Sequence, residues 1–120
     1  MPRSLATGLL ALSLCGAAFA ADAGRGEARF KALCGTCHSA DPAVRKMSSH
    51  MRGIVGRKAA SVDGIPYSTA LKTSGWTWTK PLLETYLTDP KKALPGTTMM
   101  VAAANKQDRS DILAYLATLK

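Results

Sequence analysis

Apolar residues recur at helical spacing in three segments, each preceded by a residue that can cap a helix. The first helix is predicted to begin after Asp22 and to end near Leu33. The second is predicted to begin after Thr79 and to stop at Asp89-Pro90, because proline disfavours helical backbone in the residue before it. The third is predicted to begin after Asn105. The residues that form the apolar faces are Gly26, Phe30 and Leu33; Leu82, Leu83, Tyr86 and Leu87; and Ile112, Leu113, Leu116 and Leu119.

The remaining segments are predicted to be mainly loops. A short helix is expected over residues 69–74, whereas residues 39–62 show no sustained periodicity and contain Pro42 and Gly56. A loop this long in a small domain usually wraps something or has a function. Gly26 weakens its own helix, which indicates a place where another helix approaches closely. The pattern predicts an all-α fold of about four helices with long loops.

The chain begins like an exported protein. Met1-Pro2-Arg3 is basic, residues 5–18 are almost continuously apolar or small, and Ala18-Phe19-Ala20 has the small residues of a cleavage site. The apolar run is too short for a membrane span, although an uncleaved anchor is the alternative. We predict a cleaved signal peptide over residues 1–20, a domain over residues 21–120, and a periplasmic location in a Gram-negative host.

Cys34-Gly35-Thr36-Cys37-His38 carries the chemistry. C-x-x-C-H is the attachment signature of c-type haem, in which each thiol forms a thioether and the histidine becomes an axial ligand of the iron. Cys15 leaves with the signal peptide, so both remaining cysteines are used. One covalently attached haem c is predicted, with His38 as a metal ligand.

Other interpretations of the motif are weaker. A thioredoxin-like redox pair requires strand runs around it, which are not visible. A zinc site requires four ligands, and His50 is the only further cysteine or histidine of the mature chain. A disulfide across two residues would be strained and would leave His38 unexplained.

The chain is strongly basic, with 16 Lys+Arg against 8 Asp+Glu and a formal net charge of +8. Basic proteins of this size often bind nucleic acid, but an exported protein seldom meets any. The charge instead favours acidic redox protein partners or an anionic membrane surface. A generally soluble basic surface is the simpler alternative.

The second axial ligand has five candidates: Met47, Met51, Met99, Met100 and His50. Met99 is favoured because it follows the turn Pro95-Gly96, which can present a side chain inward. Methionine is a soft, neutral ligand that raises the potential of the iron. The alternative is that Met99 only fills the core.

From Gly26 to Leu119 the chain resembles the class I cytochromes c, close to the mitochondrial and the bacterial c2 and c550 types. The resemblance rests on Phe30 before the haem motif, Gly53-Ile54-Val55-Gly56-Arg57-Lys58, Gly75-Trp76-Thr77-Trp78, Leu83-Glu84-Thr85-Tyr86-Leu87, Asp89-Pro90-Lys91-Lys92, Pro95-Gly96-Thr97-Thr98-Met99 and residues 108–116. It implies the small class I fold around one haem, with Met99 as the distal ligand.

The resemblance also implies roles for other residues. Four match positions that bond or pair with the haem propionates: Arg57, Tyr67, Trp78 and Thr97. Tyr86 matches a residue whose hydroxyl lies near the methionine sulfur, and Met100 a buried apolar residue. Gly26, Phe30 and Tyr115 match the crossing of the first and last helices. Trp78 and Tyr86 could instead be core aromatics.

Four positions depart from the family pattern. Ser49 stands where a proline usually supplies the carbonyl that orients the axial histidine. Leu71 replaces a polar residue near a buried water, Thr98 replaces a lysine and Val101 replaces an aromatic residue. The changes at Thr98 and Val101 bear on partner recognition.

These observations predict a soluble monohaem electron carrier, not an enzyme. It would be a monomer that passes electrons between periplasmic or membrane-bound redox proteins in transient contacts, with Lys91 and Lys92 steering acidic partners. One alternative is a subunit fixed in a larger respiratory or dehydrogenase complex. A peroxidase-like haem enzyme and a thiol oxidoreductase are weaker alternatives.

Overall fold

A computed structural model describes residues 20–120, so nearly all of the predicted signal peptide lies outside the described residues. Residues 20–120 form five helices: α1 Ala23–Leu33, α2 Thr69–Thr73, α3 Lys80–Thr88, α4 Pro90–Ala93 and α5 Lys106–Thr118. Residues 20–120 contain no β-strand, and extended pairing is limited to an isolated antiparallel bridge between Lys58 and Thr77. The predicted all-α class is confirmed.

The predicted helix starts are confirmed by their caps. The side chains of Asp22, Thr79 and Asn105 each accept a hydrogen bond from the amide three residues later, at 2.7, 3.3 and 3.0 Å. The described part of the chain has one helix more than predicted, because Asp89 both ends α3 and caps α4. Pro90 occupies the first turn of α4, where its missing N–H costs nothing.

Helices α1 and α5 cross in close contact. A Cβ atom on Gly26 would lie 1.8 Å from the carbonyl oxygen of Asp111, so only glycine fits at this point. The rings of Phe30 and Tyr115 pack beside the crossing with centroids 5.5 Å apart. The close helix approach predicted from Gly26 is therefore confirmed.

A buried carboxylate ties the two helices together. Asp111 is 1% exposed. It accepts hydrogen bonds from Arg25 Nε at 3.0 Å, from the Asp22 amide at 2.8 Å and from Gln107 Nε2 at 3.0 Å. The hydrogen bond from Arg25 is the main cause that holds the pKa of this carboxyl below its ordinary value. The start of α1 is thus held to the middle of α5.

The core joins α1, α3 and α5 to the loops. Its most buried apolar members are Phe30, Ile54, Trp78, Leu83, Tyr86, Leu87, Ala103, Ile112 and Leu116. The segment after α4 is fixed to this core because the Ala103 amide donates to the Leu87 carbonyl at 2.7 Å. Arg109 donates to the Ala103 and Ala104 carbonyls, both at 3.1 Å. None of the helices within residues 20–120 is long and apolar enough to span a bilayer.

Candidate functional site

The C-x-x-C-H motif continues directly from the last turn of α1. The amides of Cys34 and Gly35 both donate to the Phe30 carbonyl, at 2.8 and 2.9 Å, and the His38 amide donates to the Cys34 carbonyl at 2.8 Å. A Cβ atom on Gly35 would lie 2.5 Å from the carbonyl oxygen of Lys31. Glycine between the cysteines therefore lets the chain turn tightly at the end of α1.

Both cysteines of the motif are partly buried. Burial raises the pKa of Cys34 to about 11, with a smaller contribution from Cys37. A thiol that exchanges disulfides needs a lowered pKa, because the thiolate is the nucleophile. The environment of Cys34 is thus the opposite of that of a redox-active thiol.

A backbone carbonyl orients the ring of His38. Its Nδ1 lies 2.6 Å from the carbonyl oxygen of Ser49, and the imidazole must donate in this contact because a carbonyl only accepts. Burial, helped by the charge of Arg57, lowers the pKa of His38, although the bond to Ser49 opposes this. A neutral imidazole with its proton on Nδ1 leaves the Nε2 lone pair for a metal. Ser49 therefore performs the task expected of the usual proline.

Arg57 lies next to this histidine support. Its Nη2 is 3.4 Å from the Ser49 hydroxyl, and its Nη1 donates to the Arg52 carbonyl at 3.2 Å. Burial lowers the pKa of the guanidinium. Its backbone pairs with Trp78, whose amide donates to the Arg57 carbonyl at 2.8 Å. The structure thus brings together His38, Arg57 and Trp78, which are remote in sequence.

A second chain of contacts runs from Trp78 to Met99. The rings of Trp78 and Tyr86 pack with centroids 5.1 Å apart. The Tyr86 hydroxyl lies 2.6 Å from the Thr97 hydroxyl, which also accepts from the Met99 amide at 3.3 Å. Burial raises the pKa of Tyr86, and the bond to Thr97 works against it. Tyr86 therefore contacts the backbone of the Met99 turn through Thr97.

The five candidates for the second ligand differ in exposure. Met47 is 68% and Met100 84% exposed. The expectation that Met100 is buried is therefore wrong, because the chain turns Met99 and not Met100 toward the core. Met51, Met99 and His50 are partly buried. Met51 belongs to the loop that supports His38, since its amide donates a hydrogen bond to the Ser39 carbonyl at 2.8 Å.

Tyr67 is held by a hydrogen bond within its own loop. Its hydroxyl accepts from the Val62 amide at 3.2 Å, within the loop that leads to α2. An electrostatic contribution from Tyr67 raises the pKa of Arg57 against the effect of burial, which indicates that the two side chains are near each other. The sequence did not predict that the Ser49 side chain would be a partner of Arg57. The only signal in the sequence was a hydroxyl at a position usually held by proline.

The residues present fit a haem better than a zinc ion. Within residues 20–120, no three His, Cys, Asp or Glu side chains are grouped to hold a metal ion. The donor set is instead two thiols at thioether spacing and a neutral histidine with an oriented ring. Cys34 and Met99 also both pack against the hydrophobic core.

Comparisons with known proteins identify the family of the chain. The family model of cytochrome c matches residues 23–120, nearly all of the described chain. The chain therefore belongs to the cytochrome c family, and its cofactor is one haem c attached through Cys34 and Cys37.

Relatives from several bacteria are similar over most of the chain. Cytochrome c2 of Blastochloris viridis is 39% identical over 117 residues, which cover 95% of this chain and 91% of that protein. The "Cytochrome c-type cyt cy" of Rhodobacter capsulatus is 40% identical over 82% of this chain, but the match spans only 49% of that longer protein. The structure of cytochrome cH from Methylobacterium extorquens matches with a TM-score of 0.73 and 39% identity, covering 81% of this chain and 98% of that one. At this identity the likeness supports both family and fold.

Proposed function

We propose that this protein is a periplasmic monohaem cytochrome c that carries single electrons between redox proteins. The observation that carries the proposal is the C-x-x-C-H turn at the end of α1, with the His38 ring held at 2.6 Å by the Ser49 carbonyl. A fixed, neutral imidazole is what an axial ligand requires. The membership of the cytochrome c family supports the same conclusion.

His38 and Met99 are the axial ligands in this proposal. Met47 and Met100 point largely to solvent, while Met51 and His50 lie on the loop that supports His38. Met99 instead follows the Pro95-Gly96 turn, and the hydroxyl of Thr97 holds its amide. Among the partly buried candidates, Met99 is therefore the one that does not lie on the loop that supports His38.

When bound, haem supplies a one-electron centre whose iron alternates between the ferrous and ferric states. The protein contributes fixed ligands and an apolar setting, so that little rearrangement accompanies each electron. Arg57, Tyr67, Trp78 and Thr97 are the side chains proposed to meet the propionates, because two carboxylates in an apolar crevice need donors. Two protein ligands leave no position for a substrate, which favours a carrier over an enzyme.

Charge and export define the proposed setting. The basic, apolar and small-residue pattern of residues 1–20 supports export, and relatives named cytochrome c2 are bacterial. Lys91 and Lys92 are exposed on α4, close in sequence to the Met99 turn. We propose that they steer acidic redox partners, including membrane-bound complexes, into brief contacts made by the monomer.

The ligand assignment is tested by comparing Met99→Ala with Met100→Ala. The ferric wild-type protein should show the weak red band of methionine–sulfur ligation. Met99→Ala should lose this band, and Met100→Ala should retain it because its side chain is 84% exposed. A Met99→Ala protein that keeps the band would refute the assignment.

The steering proposal is tested by the rate of electron transfer to an acidic redox protein at increasing salt. The rate should fall as ionic strength rises, because exposed charges are screened. Lys91→Gln combined with Lys92→Gln should reduce both the rate at low salt and its salt dependence. A rate indifferent to ionic strength would remove the steering argument.

A further inference from the structure

We propose that Arg109 of α5 is a positioning residue for the distal ligand. It holds the far end of the distal segment, residues 99–104, and thereby keeps the sulfur of Met99 on the iron. Arg109 acts through the backbone of this segment. The inference rests on the proposed ligation by Met99 and goes beyond it, because it names what keeps that ligand in place.

The distal segment is fixed at its two ends. At the near end, the Thr97 hydroxyl accepts from the Met99 amide at 3.3 Å and lies 2.6 Å from the Tyr86 hydroxyl. At the far end, the Ala103 amide donates to the Leu87 carbonyl at 2.7 Å. Tyr86 and Leu87 are consecutive residues of α3, so this helix holds both ends.

The middle of the distal segment has little support of its own. Met100 is 84% and Val101 is 44% exposed, and Ala102 is exposed as well. These side chains offer almost no hydrogen bonding that could fix the loop. Exposed segments with few buried contacts open locally at a low free energy. The position of Met99 therefore depends on the contacts at the two ends.

Arg109 strengthens the contact at the far end. The residue is 8% exposed, and its Nη1 donates to the carbonyls of Ala103 and Ala104, both at 3.1 Å. Hydrogen bonds from a charged donor are stronger than those between neutral groups, and burial strengthens them further. One nitrogen thus holds two successive carbonyls directly before Asn105, which caps α5.

The burial of this cation indicates a role beyond filling space. Among the described residues, the Nε of Arg109 has no hydrogen-bond partner. The carboxylate of Glu84 lies 3.8 Å away, too far for a hydrogen bond, and its side chain is 52% exposed. An apolar residue in place of a buried charge often keeps or improves stability, so stability alone does not require arginine here. The two carbonyl bonds are what an apolar side chain could not supply.

The test compares loss of the ligand with loss of the fold. On heating the ferric protein, the red band of methionine ligation and the helical circular dichroism signal each give a thermal midpoint. Arg109→Gln should widen the gap between these two midpoints relative to the wild type, because the band is lost early. Added imidazole, which competes for the iron, should bind several-fold faster because the distal segment opens more often. Arg109→Lys keeps a charged donor without the planar fork and should lie between the two.

Arg25→Gln is the matched control, because it also removes a guanidinium that bonds across the helices. Its Nε donates to the buried Asp111 at 3.0 Å, at the crossing of α1 and α5. This variant should lower both midpoints together and leave the rate of imidazole binding near that of the wild type.

Three results would decide against these assignments. An unchanged gap and an unchanged imidazole rate in Arg109→Gln would overturn the proposal, and so would the same changes in Arg25→Gln. If Arg109→Gln accumulates too little haem-loaded protein, Arg109→Lys decides by the same two measurements. Absence of the red band from the wild-type protein would instead refute ligation by Met99.

Discussion

The crossing of α1 and α5 and the loop over residues 39–62 are built in opposite ways. At the crossing, Gly26 leaves no space against Asp111, and the buried Asp111 carboxylate is met by three hydrogen-bonding groups. Much of the loop is exposed, and it carries Arg52 and Arg57. Single contacts, such as the one between Ser49 and His38, fix its path.

The difference shows where stability and function reside. At the crossing, the polypeptide itself supplies every partner, because the polar and apolar groups there meet partners in the two helices. The loop instead places the Ser49 carbonyl against the His38 ring. It also places the Ser49 hydroxyl next to the Arg57 guanidinium. We conclude that the helices hold the fold, whereas the loop is shaped for the cofactor. Substitutions in the two regions should therefore affect different measurements.

The largest expected effect comes from adding a methyl group at the crossing. Gly26→Ala would place a Cβ atom 1.8 Å from the Asp111 carbonyl oxygen, and backbone at that point cannot give way cheaply. We expect a loss of about 3 kcal/mol in the free energy of unfolding, or separation of the helices. Denaturant unfolding of the haem-loaded protein measures it.

Gly24→Ala is the matched control within the same helix. Its added Cβ atom would lie 3.2 Å from the Asp22 carboxylate, a side chain that can shift. The higher helix propensity of alanine offsets this, so stability should stay within about 1 kcal/mol of the wild type. Equal destabilisation by both substitutions would show that the crossing has no special role.

A smaller effect, dependent on pH, is expected from Asp111→Asn. The pKa of Asp111 is lowered in the folded protein, so its charged form stabilises the fold. This contribution is complete above about pH 4, the ordinary range of an unfolded aspartate, and is lost as pH falls through the lowered folded pKa. The gap in thermal midpoint between wild type and variant should therefore narrow below pH 4.

Asp108→Asn provides the comparison for this carboxylate. Asp108 pairs with Arg29 at 3.1 Å, but its side chain is 25% exposed, whereas that of Asp111 is 2% exposed. Pairs open to solvent contribute little, so this variant should differ less from the wild type near neutral pH. Suppose instead that the thermal midpoints of Asp111→Asn and the wild type differed by the same amount from pH 7 to pH 3. In that case the charge of Asp111 would not be the source of its contribution to stability.

The smallest of these effects is expected at the contact between α3 and the Met99 turn. Tyr86→Phe removes the 2.6 Å bond to the Thr97 hydroxyl in a buried setting. We expect a loss of about 1 kcal/mol in the free energy of unfolding and a change in the ferric red band, because Thr97 also holds the Met99 amide. Tyr115→Phe, at the crossing, should leave that band unchanged. A band altered equally by both would remove the distinction between the regions.

Local features of the sequence predicted most of the fold. Caps such as Asp22 and Thr79 act over three residues, and the periodic apolar faces span whole helices, so α1, α3 and α5 could be located. Helix α4 was missed because its four residues offer no periodicity. The exposure of Met100 was mispredicted for a related reason, since an apolar loop has no period that assigns its faces.

The motif identified the attachment residues because spacing alone defines that chemistry. The support from Ser49, 11 residues after His38, is a contact of the folded chain. So is the ion pair of Arg25 with the buried Asp111, 86 residues apart. No local pattern in the sequence indicates which serine or which aspartate makes them. The roles of Arg57, Tyr67, Trp78 and Thr97 came from family resemblance and stay predictions.

The central claim is that haem is bonded to both sulfurs beside His38, and a mass measured after denaturation tests it most directly. Protein recovered from the cell envelope should be coloured, should carry the mass of one haem on the chain from Ala21 to Lys120, and should resist thiol alkylation. A colourless, folded protein in which Cys34 and Cys37 both react as free thiols would contradict the account.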